Sequence, residues 1–324
     1  MNLARNLLSR VLQGLALVLA VVVLNFVLVH AAPGDPVETI AGVSGGMSPE
    51  LMAQLRTQYG LDKSLPVQLG VYLGKVLRGD LGYSYFFNLP VSSMIAERVP
   101  ATLLLMISSV VVAFVIGIGL GVLSSKKPNG VLSQFITVLS MVGFAAPVFW
   151  MGIMLVILFA SVFPILPVSG MRAVDSSGGG LKDVVDVLYH LVLPTLTLSL
   201  VYLAQYSRLA RSSMLDVLGS DFIRTARAKG LAERVVLYKH ALRNALLPVV
   251  TVLGLQFGNV LAGAILVETV FNWPGLGRLA FESVLRRDYP TLLGVLLFSS
   301  IVVIVMNLLT DLAYRLIDPR IKAS

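Results

Sequence analysis

Residues 214–248 read MLDVLGSDFIRTARAKGLAERVVLYKHALRNALLP, and their reading decides the fold. Sequence on both sides is strongly apolar. Yet this stretch, with Arg208 and Arg211 just before it, carries eight Lys/Arg against three Asp/Glu. Leu215, Leu218, Phe222 and Ala226 step by three and four, which predicts one face of a helix. Gly230 follows the Ala-Lys end of that helix, where a left-handed cap is cheap only for glycine. Leu231, Val235, Tyr238, Leu242 and Leu246 mark a second amphipathic face. Pro248 reads as the first-turn proline of the next helix, or as a kink leading into it. The expected element is a helix–Gly–helix, basic outside and apolar inside, set between two hydrophobic segments.

The whole chain explains why such an element stands out. It has 324 residues, 56% of them hydrophobic and 13% charged, with mean hydropathy +0.87. Soluble domains carry about 25% charged residues, so this composition points to an all-α membrane protein with several spans. The net charge of +8 then implies basic loops on the cytoplasmic side rather than nucleic-acid binding. Without cysteine there is no disulfide framework or thiolate chemistry. His30, His190 and His240 are too far apart in sequence to suggest a metal site.

Outward from the basic element, six spans are expected, at about 11–30, 101–123, 132–160, 189–206, 247–267 and 291–313. The first is longer than a signal-peptide core and reads as an uncleaved span. Gly117 and Gly121 lie four apart on the second, a spacing that lets helices approach closely. Pro147 interrupts the third and predicts a kink or break near Ala146. The partition is 1–31 for the N-terminus and first span and 32–100 for an extracytoplasmic insertion. A five-helix core at 101–313 carries a cytoplasmic loop at 207–247, and 314–324 is a tail. Within the insertion, Ser48-Pro49-Glu50-Leu51 looks like a helix start. With both termini inside, inner segments hold 15 Lys/Arg and outer ones 10 over far more residues, which favours that sidedness.

Several chemistries are missing. No P-loop sequence, G-x-S-x-G or H-E-x-x-H occurs. The Gly117–Gly121 run has no strand before it, so it reads as helix packing rather than a dinucleotide loop. An enzyme or proton-coupled carrier within the membrane wants ionisable groups at mid-span, and the spans hold mainly Ser, Thr, Asn and Gln. A channel needs a selectivity element, and none is readable. A DNA-binding helix-turn-helix would not be tethered between two spans. What remains is a transporter energised from outside the chain, with an ion-coupled carrier acting alone as the competing class.

Candidate path residues are Gln256 and Asn259, which share a face of the fifth span. They either line a pore or bridge two helices. Thr137, Ser140, Trp150, Thr195, Thr197, Gln205 and Asn307 are weaker candidates. Tyr83, Tyr85, Phe86 and Phe87 read as an interfacial aromatic belt or a docking site. Trp273-Pro274-Gly275 reads as a structural turn, with an outer gate helped by Glu268 as the alternative.

At residues 221–248 the sequence resembles the cytoplasmic signature loop of bacterial ABC importer permeases. The version is close to that of the dipeptide/oligopeptide/nickel subfamily. The likeness extends to His30–Pro36, to Gly79-Asp80-Leu81-Gly82-Tyr83-Ser84, to Glu268–Gly277 and to Asp311–Arg320. It departs at Arg224-Thr225-Ala226, which stands where that family has Glu-Ala-Ala. The resemblance implies a permease subunit in a bacterial cytoplasmic membrane. It implies a second permease as heterodimer partner, two ATPase subunits and an extracytoplasmic solute-binding protein. ATP and Mg would be bound by the ATPases, leaving this chain without cofactor or metal. It also implies an ATPase-coupling loop comprising Asp221, Arg224, Thr225, Ala226, Arg227, Lys229, Gly230 and Leu231, with Pro248 as pivot. Peptides are the leading substrate, with glutathione-like peptides, nickel complexes and sugars open.

Overall fold

The computed structural model describes residues 2–31, 48, 50, 53, 57, 62–84, 86–173 and 180–317. The expected helix start at Ser48–Leu51 lies mainly outside them. Elements in chain order are α1 (Asn2–Ala31), α2 (Leu65–Leu77), β1 (Tyr83–Ser84), β2 (Leu89–Pro90), α3 (Val91–Lys126), α4 (Val131–Ala145) and α5 (Val148–Val156). After a π-helical turn at Ile157–Val162 come α6 (Leu181–Leu218), α7 (Asp221–Ala228) and α8 (Glu233–Val235). A second π turn, Val236–Ala241, leads into α9 (Leu242–Leu255), followed by α10 (Phe257–Val270), α11 (Leu276–Arg286) and α12 (Tyr289–Ile317).

Among the described residues, four helices are long and apolar enough to cross a membrane: α1, α3, α6 and α12. A fifth span arises if α4 and the α5–π segment count together, bent by 108°. The break falls at Ala146–Pro147, where proline removes a backbone donor and its ring opposes the preceding turn. The segment expected as the fifth of six spans, 247–267, falls on two shorter helices, α9 and α10, which meet at Gln256.

The chain divides into two compact units. The first comprises Met1–Pro100 and Arg278–Val305. In it, His30 hydrogen-bonds Gln68 at 2.9 Å and so ties α1 to α2. The antiparallel β1–β2 hairpin is anchored by Ser84, which donates to the buried Asp288 carboxylate. Asp288 also accepts from Thr291 Oγ1 at 2.7 Å and stands just before α12, at an N-cap position. Arg286 lies 4.1 Å over the Phe86 ring.

The second unit comprises Ala101–Gly277 and Met306–Ser324. Its core joins Leu105 and Met106 of α3, Leu193, Leu198 and Tyr206 of α6, and Val260, Val267, Phe271 and Trp273. α3 lies against α6 through small residues. A Cβ on Gly117 would come 2.8 Å from Tyr206 Cβ, and one on Gly121 2.6 Å from Ala210 Cβ. Close approach of this kind is what drives helix association where solvent offers no hydrophobic force.

Candidate functional site: a capped surface helix on three longer helices

The basic element differs from its expected form in one respect that matters. α6 stops at Leu218, and α7 starts afresh at Asp221 after Gly219-Ser220. The expected single face Leu215–Leu218–Phe222–Ala226 therefore does not exist. Serine at 220 takes the extended N-cap conformation (φ −75°, ψ 154°), a role its side chain favours over helix interior. Its hydroxyl turns back to Val217 O rather than capping α7. Restarting the helix changes its phase, so α7 buries Ile223 (0% exposed) and Ala226, while Phe222 stands out at 46%.

The second face is also shifted. Val236, Leu237, Ala241 and Ala245 are buried, whereas Leu231, Val235 and Tyr238 of the expected set are exposed. The π turn at Val236–Ala241 adds a residue to one helical turn and so rotates the buried stripe. Pro248 lies inside α9, beyond its first turn, so the N-terminal-proline reading does not hold.

The two buried sets meet. Ile223 and Ala226 pack with Val122 of α3, Met214 of α6, and Val236, Leu237, Ala241 and Ala245. Burying an isoleucine side chain contributes about 2 kcal/mol. α7 is thus seated on the ends of three longer helices.

Its end is closed by backbone geometry. Gly230 has φ +76°. Its amide donates to Arg227 O at 2.9 Å, and Leu231 N donates to Ala226 O at 3.4 Å. These are the paired bonds of a Schellman cap. Arg227 braces the same turn, giving Nε to Glu233 Oε2 (3.2 Å) and Nη2 to Oε1 (2.7 Å). That hydrogen-bonded fork holds the Glu233 carboxyl below its usual range and pushes Arg227 up. Arg224 reaches Asp221 at 3.3 Å, with both side chains exposed. Left facing outward are Phe222, Thr225, Ala228 and Lys229. The sequence reading missed Glu233 as a partner. Its signal was an acid six residues past Arg227 across a glycine turn.

The remaining candidates lie elsewhere. Glu268 is fully buried. Its carboxylate accepts from Thr102 Oγ1 and from Gly277 N, each at 2.7 Å. Leu276 N donates to Thr102 Oγ1 (2.8 Å), and Trp273 Nε1 donates to Ala101 O (2.8 Å). Trp273, Pro274 and Gly275 therefore form a buried, bonded turn around Glu268. Thr102 was not singled out from sequence, because its partner is 166 residues away.

Gln256 Nε2 donates to Gln205 Oε1 at 2.7 Å, the helix-bridging alternative. The Asn259 side chain lies outside the described ones. Thr197 and Ser140 are buried, and Thr197 bonds Leu193 O within its own helix. Thr137 accepts from Arg211 Nη1 at 2.7 Å.

The chain thus combines long apolar helices with one capped, cation-bearing helix seated on the ends of three longer ones. The comparisons name the class. Residues 113–323 match the binding-protein-dependent transport system inner membrane component family, and residues 3–106 match the N-terminal region of such components. The chain belongs to this family: it is an inner-membrane permease component of a binding-protein-dependent ABC importer. Relatives include a putative peptide permease of Brucella suis biovar 1, 43% identical over 99% of each chain. The dipeptide transport system permease protein DppB of Escherichia coli K12 is 42% identical over 98% of this chain and 99% of its own. The oligopeptide permease AppB of Bacillus subtilis is 39% identical over 99% and 100%. Among solved structures, the inward-facing MetNI methionine ABC transporter aligns with TM-score 0.56. That match covers 69% of this chain and 96% of the other at 17% identity, a likeness of fold.

Proposed function

We propose that the chain is one half of the translocation path of a di- or oligopeptide importer. Three relatives that carry peptide names along their whole length support the cargo. In this reading the second half is a different permease. Two ATPase subunits bind ATP and Mg and hydrolyse the nucleotide, and this chain holds no cofactor. Six spans place both termini and α7 in the cytosol, with α9 and α10 together as the fifth. The N-terminal insertion faces outward, where the binding protein delivers cargo.

The observation that carries the mechanism is α7 itself. A helix meant to be gripped must be stiff where it meets the membrane helices and open on its other side. Ile223 and Ala226 lock it to α3, α6 and the start of α9, while Phe222, Thr225 and Lys229 remain outside. Closure of the ATPases would move α7 as a rigid knob and tilt the spans it sits on. Asp221, Arg224, Arg227, Gly230 and Leu231 shape and cap the knob, and Pro248 is the pivot above it. Glu268, Trp273, Pro274 and Gly275 serve as a fixed turn rather than a gate.

Gly230→Val tests this. A branched side chain at φ +76° is strained although the space around it is open. The expected outcome is a membrane-inserted chain with peptide uptake and cargo-stimulated ATP hydrolysis both lost. Uptake at the normal rate would refute the coupling role. An ion-coupled carrier acting alone is not favoured.

A further inference from the structure

Arg208 was counted with the basic loop, yet it lies on α6 well before that helix ends at Leu218. α6 packs on α3 so that Leu203, Tyr206, Ser207, Ala210 and Arg211 meet Gly117 and Gly121. Those glycines lie about 7–14 Å before the Lys126 end of α3, at 1.5 Å per residue. Arg208, between Ser207 and Ala210, shares that depth. Its guanidinium reaches further, lying 4.8 Å over the Phe144 ring. It is exposed, and among the described residues it has no acidic partner.

A cation at this depth requires water or an opposite charge. A second polar requirement falls beside it. Phe144 is two residues before the break at Ala146–Pro147, where the helix bends by 108°. Such a break leaves the last carbonyls of α4 and the first amides of α5 without helical partners. No side chain caps α5, and among the described residues no other segment bonds the amides of Val148, Phe149 and Trp150. Ala145, Pro147, Phe149 and Trp150 are exposed. Lipid cannot satisfy such backbone, so it faces water or protein. On its other side, one turn along α6, Arg208 is flanked by Gln205, which is bonded to Gln256 where α9 meets α10. A broken span, a helix junction and an unpaired cation therefore surround one strip of α6.

We propose that Arg208 lines the translocation path and contacts negative groups of the passing peptide, its terminal carboxylate and any acidic side chain. This rests on the peptide-import reading. Stacking on Phe144 holds the planar fork ready to meet a carboxylate. Solvent exposure keeps the contact weak, so cargo is passed along rather than retained.

The test uses the whole transporter, with its accompanying subunits, in liposomes. Uptake of alanyl-aspartate and alanyl-lysine is measured for wild type, Arg208→Gln and Arg208→Lys. The expected result is that Arg208→Gln lowers the aspartate-to-lysine uptake ratio about fivefold, roughly 1 kcal/mol, while Arg208→Lys restores most of it. A ratio is insensitive to how much transporter assembles. An unchanged ratio overturns the proposal, and so does a change seen only with anionic lipid, which would assign Arg208 to headgroups. The chain has no cysteine, so Arg208→Cys adds a clean second probe. A charged, water-soluble thiol reagent should label it, and failure to label while a lipid-soluble maleimide reacts also overturns the idea. Wild type carrying neither dipeptide would instead strike at the peptide reading itself.

Discussion

Two turns in this molecule use a hydrogen-bonded carboxylate and glycine to opposite ends. Around Glu268, a carboxylate, a threonine and closely spaced glycines build a site in which every described partner is internal and Trp273 is fully buried. Around Gly230, an arginine, a glutamate and one glycine build a turn whose side chains are mostly in solvent. The first turn fixes parts of its own unit. The second fixes only its own shape and leaves a helix face for another molecule. Burial decides which role a hydrogen-bonded turn can play, because a buried acceptor is costly to abandon and an exposed one is not.

The largest effect should come from invading the buried turn. A Cβ on Gly275 would collide with the Glu268 carboxyl group. Gly275→Val should destabilise the chain by about 3 kcal/mol, read as a lower melting temperature in detergent and poor recovery from membranes. Glu268→Ala should come close to it, since Thr102 and Gly277 would lose their acceptor. Should either variant melt like wild type, the turn would not be the fixed point described here.

A middle-sized effect separates shape from space at Gly230. Asn tolerates positive φ, as Asn88 and Asn272 do in this chain. Gly230→Asn should therefore retain most uptake, while Gly230→Val, costing about 1–2 kcal/mol of local strain, should not. Equal loss in both would mean the position needs room for a partner rather than a left-handed backbone.

The same contrast governs what could be read from sequence. Gly230, the break near Ala146 and the Gly117–Gly121 approach were legible because each rests on a local backbone rule. The phase of α7 was not, because Gly219-Ser220 ends one helix and starts another with no loss of apolar rhythm. The π turn at Val236–Ala241 rotates a stripe that periodicity alone placed on Leu231, Val235 and Tyr238. Glu268 was read as a possible helper of an outer gate, and its hydrogen bonds from Thr102 and Gly277 join positions that sequence does not bring together. Arg208 was grouped with the loop because charge counting does not show that α6 continues to Leu218. The packing of α6 on α3 sets Arg208 level with Gly117 and Gly121.

The smallest effect lies at the exposed brace. Arg227 and Glu233 are largely in solvent, with side-chain exposures of 44% and 64%. Such pairs contribute about 0.2–1 kcal/mol, less in salt. Glu233 has its pKa lowered, first by the hydrogen bond from Arg227. The pair's stabilisation is therefore present above the ordinary glutamate range and fades as pH falls through the lowered value. At neutral pH, Glu233→Gln should shift the melting temperature by no more than a few degrees. The difference from wild type should vanish in acid, below the depressed pKa. Uptake should fall only slightly, because the Schellman cap survives without the brace. If Glu233→Gln instead abolished uptake with the melting temperature unmoved, the Glu233 carboxylate would be a contact for the partner and not a strut of the turn.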